Sequence, residues 1–249
     1  MLAKNYLNYF TPIRSSNIFE ETIERIVAPI KLRLINPGDP LPSERELAMR
    51  LGVSRTTLRE ALRVLVHAGY LEIRRGRKGG AFVVRWPSLP DEEARRVVIH
   101  RIYDRLPSLL DFRRALEPTS AELAALRATP SELDSLRQIL SGMKEAEQIF
   151  ERYRALDALF HITIAQSAKS ELIFRSVIEI QSSLTEILDL IIYHSQRALH
   201  HSTQYHWRIL RAIERRQPER AYRLMRDHIM ATENLIRSLI PEINWPPVE

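Results

Sequence analysis

The sequence predicts a mainly α protein in two parts: an amino-terminal unit of short helices and a small β-hairpin, then a carboxy-terminal all-α bundle of six or seven helices. Three observations carry this. Six of the seven glycines precede Trp86 and only Gly142 follows it, which puts turns early and long helices late. Charge divides at the same place: residues 1–86 hold 15 Lys+Arg against 8 Asp+Glu, and residues 87–249 hold 22 against 23. Apolar periodicity is helical at the start, changes to strand-like over 70–85, and is helical again from Asp91 onward. The expected organisation is one domain over 1–86, a linker over 87–90, and a second domain over 91–249.

Taken in order, residues 18–35 place Ile18, Ile23, Ile26, Val27 and Ile30 on one side of a helix, which Pro37-Gly38 breaks. Pro40 and Pro42 hold the next segment extended as far as Ser43. Ser43-Glu44-Arg45-Glu46 has the capping-box pattern, in which the serine and Glu46 satisfy each other's free backbone N–H groups. A short helix over Glu44–Leu51 follows. Gly52 ends it, and Ser54 supplies the N-cap of a helix over Arg55–His67. Helix, glycine turn, helix is the helix-turn-helix outline. Two β-prone runs, 70–74 and 81–85, then flank a Gly- and Arg-rich tip at 76–80 and make a hairpin, or wing. Trp86-Pro-Ser-Leu-Pro90 resists both helix and sheet. Beyond it, Pro107, Pro130 and Pro218 fall where helices can start, whereas Pro118 lies inside a helical stretch and should kink it or mark a restart.

Composition narrows the function. No stretch approaches the roughly 18 apolar residues that span a bilayer, and the start lacks the apolar core of a signal peptide, so a cytoplasmic protein with no membrane partner is expected. The chain has no cysteine, which excludes disulfides and thiolate metal sites and leaves nitrogen and oxygen ligands. A basic first part points to a polyanion, and nucleic acid is the usual one because displaced counterions drive that association.

In a winged helix-turn-helix the second helix enters the major groove. Its first turn here carries Ser54, Arg55, Thr56, Thr57 and Arg59, and arginine can grip the O6 and N7 of guanine together. Arg45 would reach phosphate or a base, and Arg74, Arg75, Gly76, Arg77, Lys78 and Gly79 would let the wing follow the backbone or enter the minor groove. Taken alone, these charges would equally suit a solvated surface; their order along the chain favours DNA. The run PGDPLPSERELAMRLGVSRTTLREALRVLVHAGYLEIRRGRKGGAFV closely resembles the DNA-binding module of GntR-type bacterial regulators, over roughly residues 18–85. The resemblance implies that Arg45, Arg55, Arg59 and the wing glycines face double-stranded DNA, and that a homodimer binds a short pseudo-palindromic operator.

In the helical part, LDALFHITIA puts Asp157 and His161 one turn apart on one face, and His206 and His228 belong to two later helices. One carboxylate and three imidazoles suit zinc first, with nickel, iron or manganese also possible ligand partners. By spacing alone, a surface Asp–His pair and separate core histidines explain the same residues. The order of these residues resembles the helical FCD effector domain of the FadR subfamily of GntR regulators. It implies a divalent metal held by Asp157, His161, His206 and His228. It also implies that Arg113, in DFRRALEPTSAELAA, faces the pocket and pairs with an effector carboxylate, the alternative being a surface Arg113–Glu117 pair. One departure stands out: where the family often shows Ser-Gly-Asn after the Asp-x3-His motif, this chain has Ser167-Ala-Lys-Ser170. His194, His200 and His201 read as solvated.

The expected function is therefore a transcription regulator, repressor or activator, whose DNA affinity responds to a small carboxylate metabolite bound at the metal, and not an enzyme. Fatty acyl-CoA is a poor fit, because by resemblance the members that bind it lack this ligand set. Two rivals are a metal-dependent enzyme tethered to nucleic acid, for which no general base is evident, and an architectural DNA-binding protein.

Overall fold

A computed structural model describes residues 18–76, 79–86, 105–146, 149–191, 196–240, 243 and 245. Their contacts define two compact units. One holds the described residues up to Val27 together with Pro37–Arg85; the other holds Ala28–Asn36 and the described residues from Trp86 onward. Segment 28–36 groups with the second unit for two reasons. Leu32 is buried among Ala158, Ile162, Ala165 and Val177, and the Trp86 indole N–H donates to the Ile35 carbonyl at 2.9 Å. The expected linker, 87–90, and residues 91–104 lie outside the described residues.

Helix α1 (Ile18–Lys31) buries Ile26, Val27 and Ile30 as its periodicity requires, but Ile18 is 65% exposed and takes no part in the core. The helix also stops before the apolar run does. Arg33 takes a left-handed backbone, φ 56°, and the N–H of Leu34 reaches back to the Pro29 carbonyl at 2.9 Å, a Schellman-type ending built without glycine. Helix α2 (Glu44–Leu51) is capped by Ser43, whose Oγ accepts from the Glu46 N–H at 3.3 Å. The described bonds contain only this half of the expected box. The Glu46 carboxylate turns to Arg50, one turn on, and accepts from its Nε at 2.9 Å. Gly52 closes α2 in the left-handed region, φ 67°, where a side chain would be strained.

Helix α3 (Arg55–His67) starts at Ser54, whose Oγ accepts from the Thr57 N–H at 3.0 Å, and buries Leu58, Ala61, Leu62 and Leu65 on one face. Strands β1 (Leu71–Arg74) and β2 (Gly80–Val83) pair antiparallel with Leu71 opposite Val83 and Arg74 opposite Gly80. The proline-rich approach to α2 contributes more than an extended linker. Gly38 N–H donates to Val83 O, Val83 N–H to Asp39 O and Leu41 N–H to Ala81 O, so residues 38–41 line the free edge of β2 and satisfy backbone groups there.

The second unit has six helices among the described residues: α4 (Leu106–Arg127), α5 (Pro130–Glu145), α6 (Phe150–Ser167), α7 (Glu171–Ile191), α8 (Gln196–Glu214) and α9 (Pro218–Leu239). Pro107, Pro130 and Pro218 all lie in first turns, where a missing N–H costs nothing. α4 runs through Pro118 without restarting. Its core is made by Leu136, Leu140 and Met143 of α5, Phe160 and Ile164 of α6, Ile209, Leu210 and Ile213 of α8, and Met225 and Ile229 of α9. At the α6–α7 turn Lys169 takes φ 53°, the conformation that glycine or asparagine adopts with least strain, and its amine pairs with Glu132. The turn thus forms with Ser167-Ala-Lys-Ser170 in place. No helix among the described residues is long and apolar enough to cross a membrane.

Candidate functional site

The surface expected to meet DNA is set by the two caps. Ser54 is committed twice, accepting the Thr57 N–H and sharing a 2.8 Å hydroxyl contact with Thr57 Oγ1. Both residues therefore hold the start of α3 in place. Arg55 and Thr56 are exposed beside them, and Arg45 is exposed on α2. Arg59 is exposed too, but its Nε donates to Glu44 Oε2 at 2.8 Å, linking the two helices of the motif. In the wing, Arg74 lies flat on its own hairpin, its guanidinium 4.1 Å from the Phe82 ring centre and its Nε bonded to Glu72. Arg75 is exposed at the tip. Gly79 has a steric reason to be glycine: a Cβ there would lie 2.4 Å from the Arg74 carbonyl oxygen. Gly76 takes φ 106°. Arg77 and Lys78 lie outside the described residues.

The bundle brings the other candidate residues together in its interior. His161 of α6, His206 of α8 and His228 of α9 are buried and each offers a ligand atom within 4.8 Å of the other two. His206 Nε2 and His228 Nε2 are 3.1 Å apart. Asp157, one turn before His161, is 8% exposed, and its Oδ1 is 3.7 Å from His206 Nε2, so it borders the three imidazoles without entering that tight group. The surface-pair explanation of Asp157 and His161 does not hold. Nor does it for Arg113 and Glu117, which do pair, Nε to Oε1 at 3.2 Å, but at about 1% exposure each. Arg113 keeps one buried nitrogen, Nη1, with no hydrogen-bond partner among the described residues.

Burial controls the charges. It pushes His206 down, and although Asp157 opposes this, the pKa falls to about 3; burial, with His206 and His161 beside it, takes His228 well below its ordinary value. Both rings are neutral near pH 7, the form that binds a metal without first losing a proton. Burial would raise Asp157, but His206, His161 and Arg154 outweigh it and keep the carboxyl below its usual value. Burial would likewise raise Glu117, yet Arg113, His161 and the Gln181 amide bring it down to about 2. The donor set fits a divalent cation: three imidazoles, a carboxylate, and buried nitrogens at His161 Nε2 and His206 Nδ1 without hydrogen-bond partners among the described residues.

Two residues of this cluster escaped the sequence reading, and a third was read there only as a partner of Arg113. Arg154, 7% exposed, reaches Asp157 Oδ2 at 3.5 Å; its spacing before Asp157 and His161, i, i+3, i+7, was a usable signal. Gln181 donates from Nε2 to Glu117 Oε1 at 2.7 Å, and nothing in its sequence context marks it. The sequence gives Glu117 only as the partner of Arg113 in a surface pair, and nothing in it signals the approach to His161, Oε2 to Nδ1 at 2.6 Å. His200 and His201 are exposed; His200 contacts Gln204, and His201 packs on Tyr205. His194 lies outside the described residues.

A capped helix pair with a basic wing, followed by a helical unit with a buried polar cluster, defines a DNA-binding transcription regulator with an effector-type domain. Comparison with known proteins agrees. Residues 19–83 match the family "Bacterial regulatory proteins, gntR family" and residues 108–231 match the FCD domain. The chain is 31% identical over 250 residues to the Glc operon transcriptional activator of Escherichia coli K12, covering 90% of this chain and 94% of that one. It is 34% identical over 212 residues to the HTH-type transcriptional regulator RmpR of Mycobacterium gastri, covering 83% and 76%. Among solved structures, E. coli McbR/YncC aligns over 92% of this chain and 99% of its own with a TM-score of 0.54 at 19% identity, a likeness of fold. The chain belongs to the gntR family of bacterial regulators and carries an FCD effector domain.

Proposed function

We propose that this regulator, which is not an enzyme, controls transcription in response to a small carboxylate, bound by a divalent metal and Arg113 inside the helical unit. The observation that carries the reading is the convergence of His161, His206 and His228, with Asp157 beside them, in an interior that also holds the partly unpaired guanidinium of Arg113. The metal, zinc by preference and otherwise nickel, manganese or iron, would supply a positive centre for a carboxylate oxygen. Arg113 would take the other oxygen through its planar fork.

On the DNA side, Arg45, Arg55, Thr56, Arg59 and Arg75 would meet an operator, with Ser54, Thr57, Gly76 and Gly79 shaping the elements that carry them. One helix-turn-helix per chain supports a homodimer on a pseudo-palindrome, since two-fold protein symmetry then meets two half-sites. The effector acts only through unequal affinity for two arrangements of that dimer, so DNA and effector must influence each other reciprocally.

The test is thermal unfolding of the full chain against a panel of organic and sugar acids, before and after chelation. A ligand that prefers the folded state raises the melting temperature by mass action. A shift given by one class of carboxylate and lost on chelation is the expected result. A protein that binds no metal and responds to no acid would overturn the sensor reading and leave the DNA-binding assignment intact.

A further inference from the structure

We infer that Glu117 is the positioning residue of this cluster, fixing the His161 ring so that Nδ1 carries the proton and Nε2 is presented to the metal. The inference rests on the metal-site reading above but has its own geometric basis. Glu117 is 1% exposed and its two oxygens have separate tasks. Oε1 accepts from Arg113 Nε at 3.2 Å and from Gln181 Nε2 at 2.7 Å, which pins the carboxylate from α4 and α7. Oε2 lies 2.6 Å from His161 Nδ1 on α6, an ion-pair distance whose alignment falls short of a hydrogen bond, and neither atom has another hydrogen-bond partner among the described residues.

A neutral imidazole has one N–H, and a carboxylate can only accept. In the neutral ring, a carboxylate oxygen this close to Nδ1 favours the tautomer with its proton there, which leaves the Nε2 lone pair free. Nε2 is buried and meets no hydrogen-bond partner among the described residues. The contact also links the two halves of the site. The arginine available to an effector carboxylate and the histidine available to the metal share one carboxylate, so a ligand that draws Arg113 away alters what holds His161. Partners of this kind fix ring orientation and raise ligand basicity, and their loss typically weakens metal binding about 10–100-fold.

The experiment compares the full-length protein with Glu117→Gln, reading zinc affinity by competition with a chromophoric chelator. The His161 ring nitrogens are read by 15N NMR on the chelated protein. The expected result is a single Nδ1–H tautomer in the parent, and in the variant a mixed or reversed tautomer with zinc bound about 10–100-fold more weakly. Should Glu117→Gln fail to fold, Glu117→Asp keeps the charge but withdraws the carboxylate by one methylene, and the same two readouts apply. A purely structural role would lower the melting temperature while leaving both tautomer and zinc affinity unchanged, and that pattern overturns the inference. A parent protein that binds no zinc overturns the metal reading instead, and the tautomer measurement still decides whether Glu117 sets the ring.

Discussion

At the scale of single residues, arginine serves opposite ends in the two units. Arg55 is exposed at the start of α3 with no carboxylate partner among the described residues, whereas Arg113 is sealed inside the bundle against Glu117. If Arg55 grips a guanine, Arg55→Ala should cost about 1–3 kcal/mol of operator binding and relax preference at one base pair, read by titration of the variant against single-base operator changes. Arg59 should behave less simply, because leaving Glu44 is part of its cost of reaching DNA. The buried titratable groups predict a pH response of the metal-free protein. His206 has a folded pKa of about 3, below its ordinary value, so between pH 6.5 and about 3 the unfolded chain binds a proton that the folded one refuses. Glu117, at about 2, acts in the same direction from pH 4.5 downward. Stability should therefore fall as pH falls through these windows. Urea unfolding of chelated protein from pH 7 to 4 checks this, and a flat profile would contradict the burial of neutral His206.

At the scale of elements, caps and glycines decide where the reading surface stands. Ser54→Ala should destabilise the amino-terminal unit by about 0.5–2 kcal/mol, because the Thr57 N–H loses its acceptor. DNA affinity should fall with it, since Arg55 and Thr56 occupy the same turn. Gly79→Ala should disturb the wing itself: the added methyl would collide with the Arg74 carbonyl, a backbone atom that cannot swing aside. Loss of the wing's contribution to DNA binding, with the helical unit melting unchanged by calorimetry, is the expected outcome. These element ends were legible because their signals are local. Gly52 and Ser54 lie within four residues of the groups they bond. Where the expectation failed, the competing partner was also close but equally permitted by sequence: Glu46 could cap Ser43 or pair with Arg50, and it pairs with Arg50. The α1 ending at Arg33 carried no glycine to announce it.

For the whole molecule, the two-unit division predicts that DNA affinity and ligand response are separable. His206→Ala should abolish metal-dependent thermal stabilisation while leaving operator binding without effector largely in place, measured on the same preparation by melting and by DNA titration. If the protein binds as a homodimer, an operator with one half-site destroyed should lose most of its affinity, and the half-sites should stand about one helical turn, roughly 34–36 Å, apart or a multiple of that. The sequence by itself determined the helix-turn-helix with its wing, the helix-starting prolines and the candidate histidines, because periodicity, caps and turns act over a few residues. Only the tertiary structure decided that Leu32 joins the helical unit and that residues 38–41 line β2. It alone put Arg113 and Glu117 in the interior and set Glu117 against His161. Those contacts join residues dozens of positions apart, and whether a charged pair is exposed or buried depends on how the helices pack around it, which no local pattern encodes.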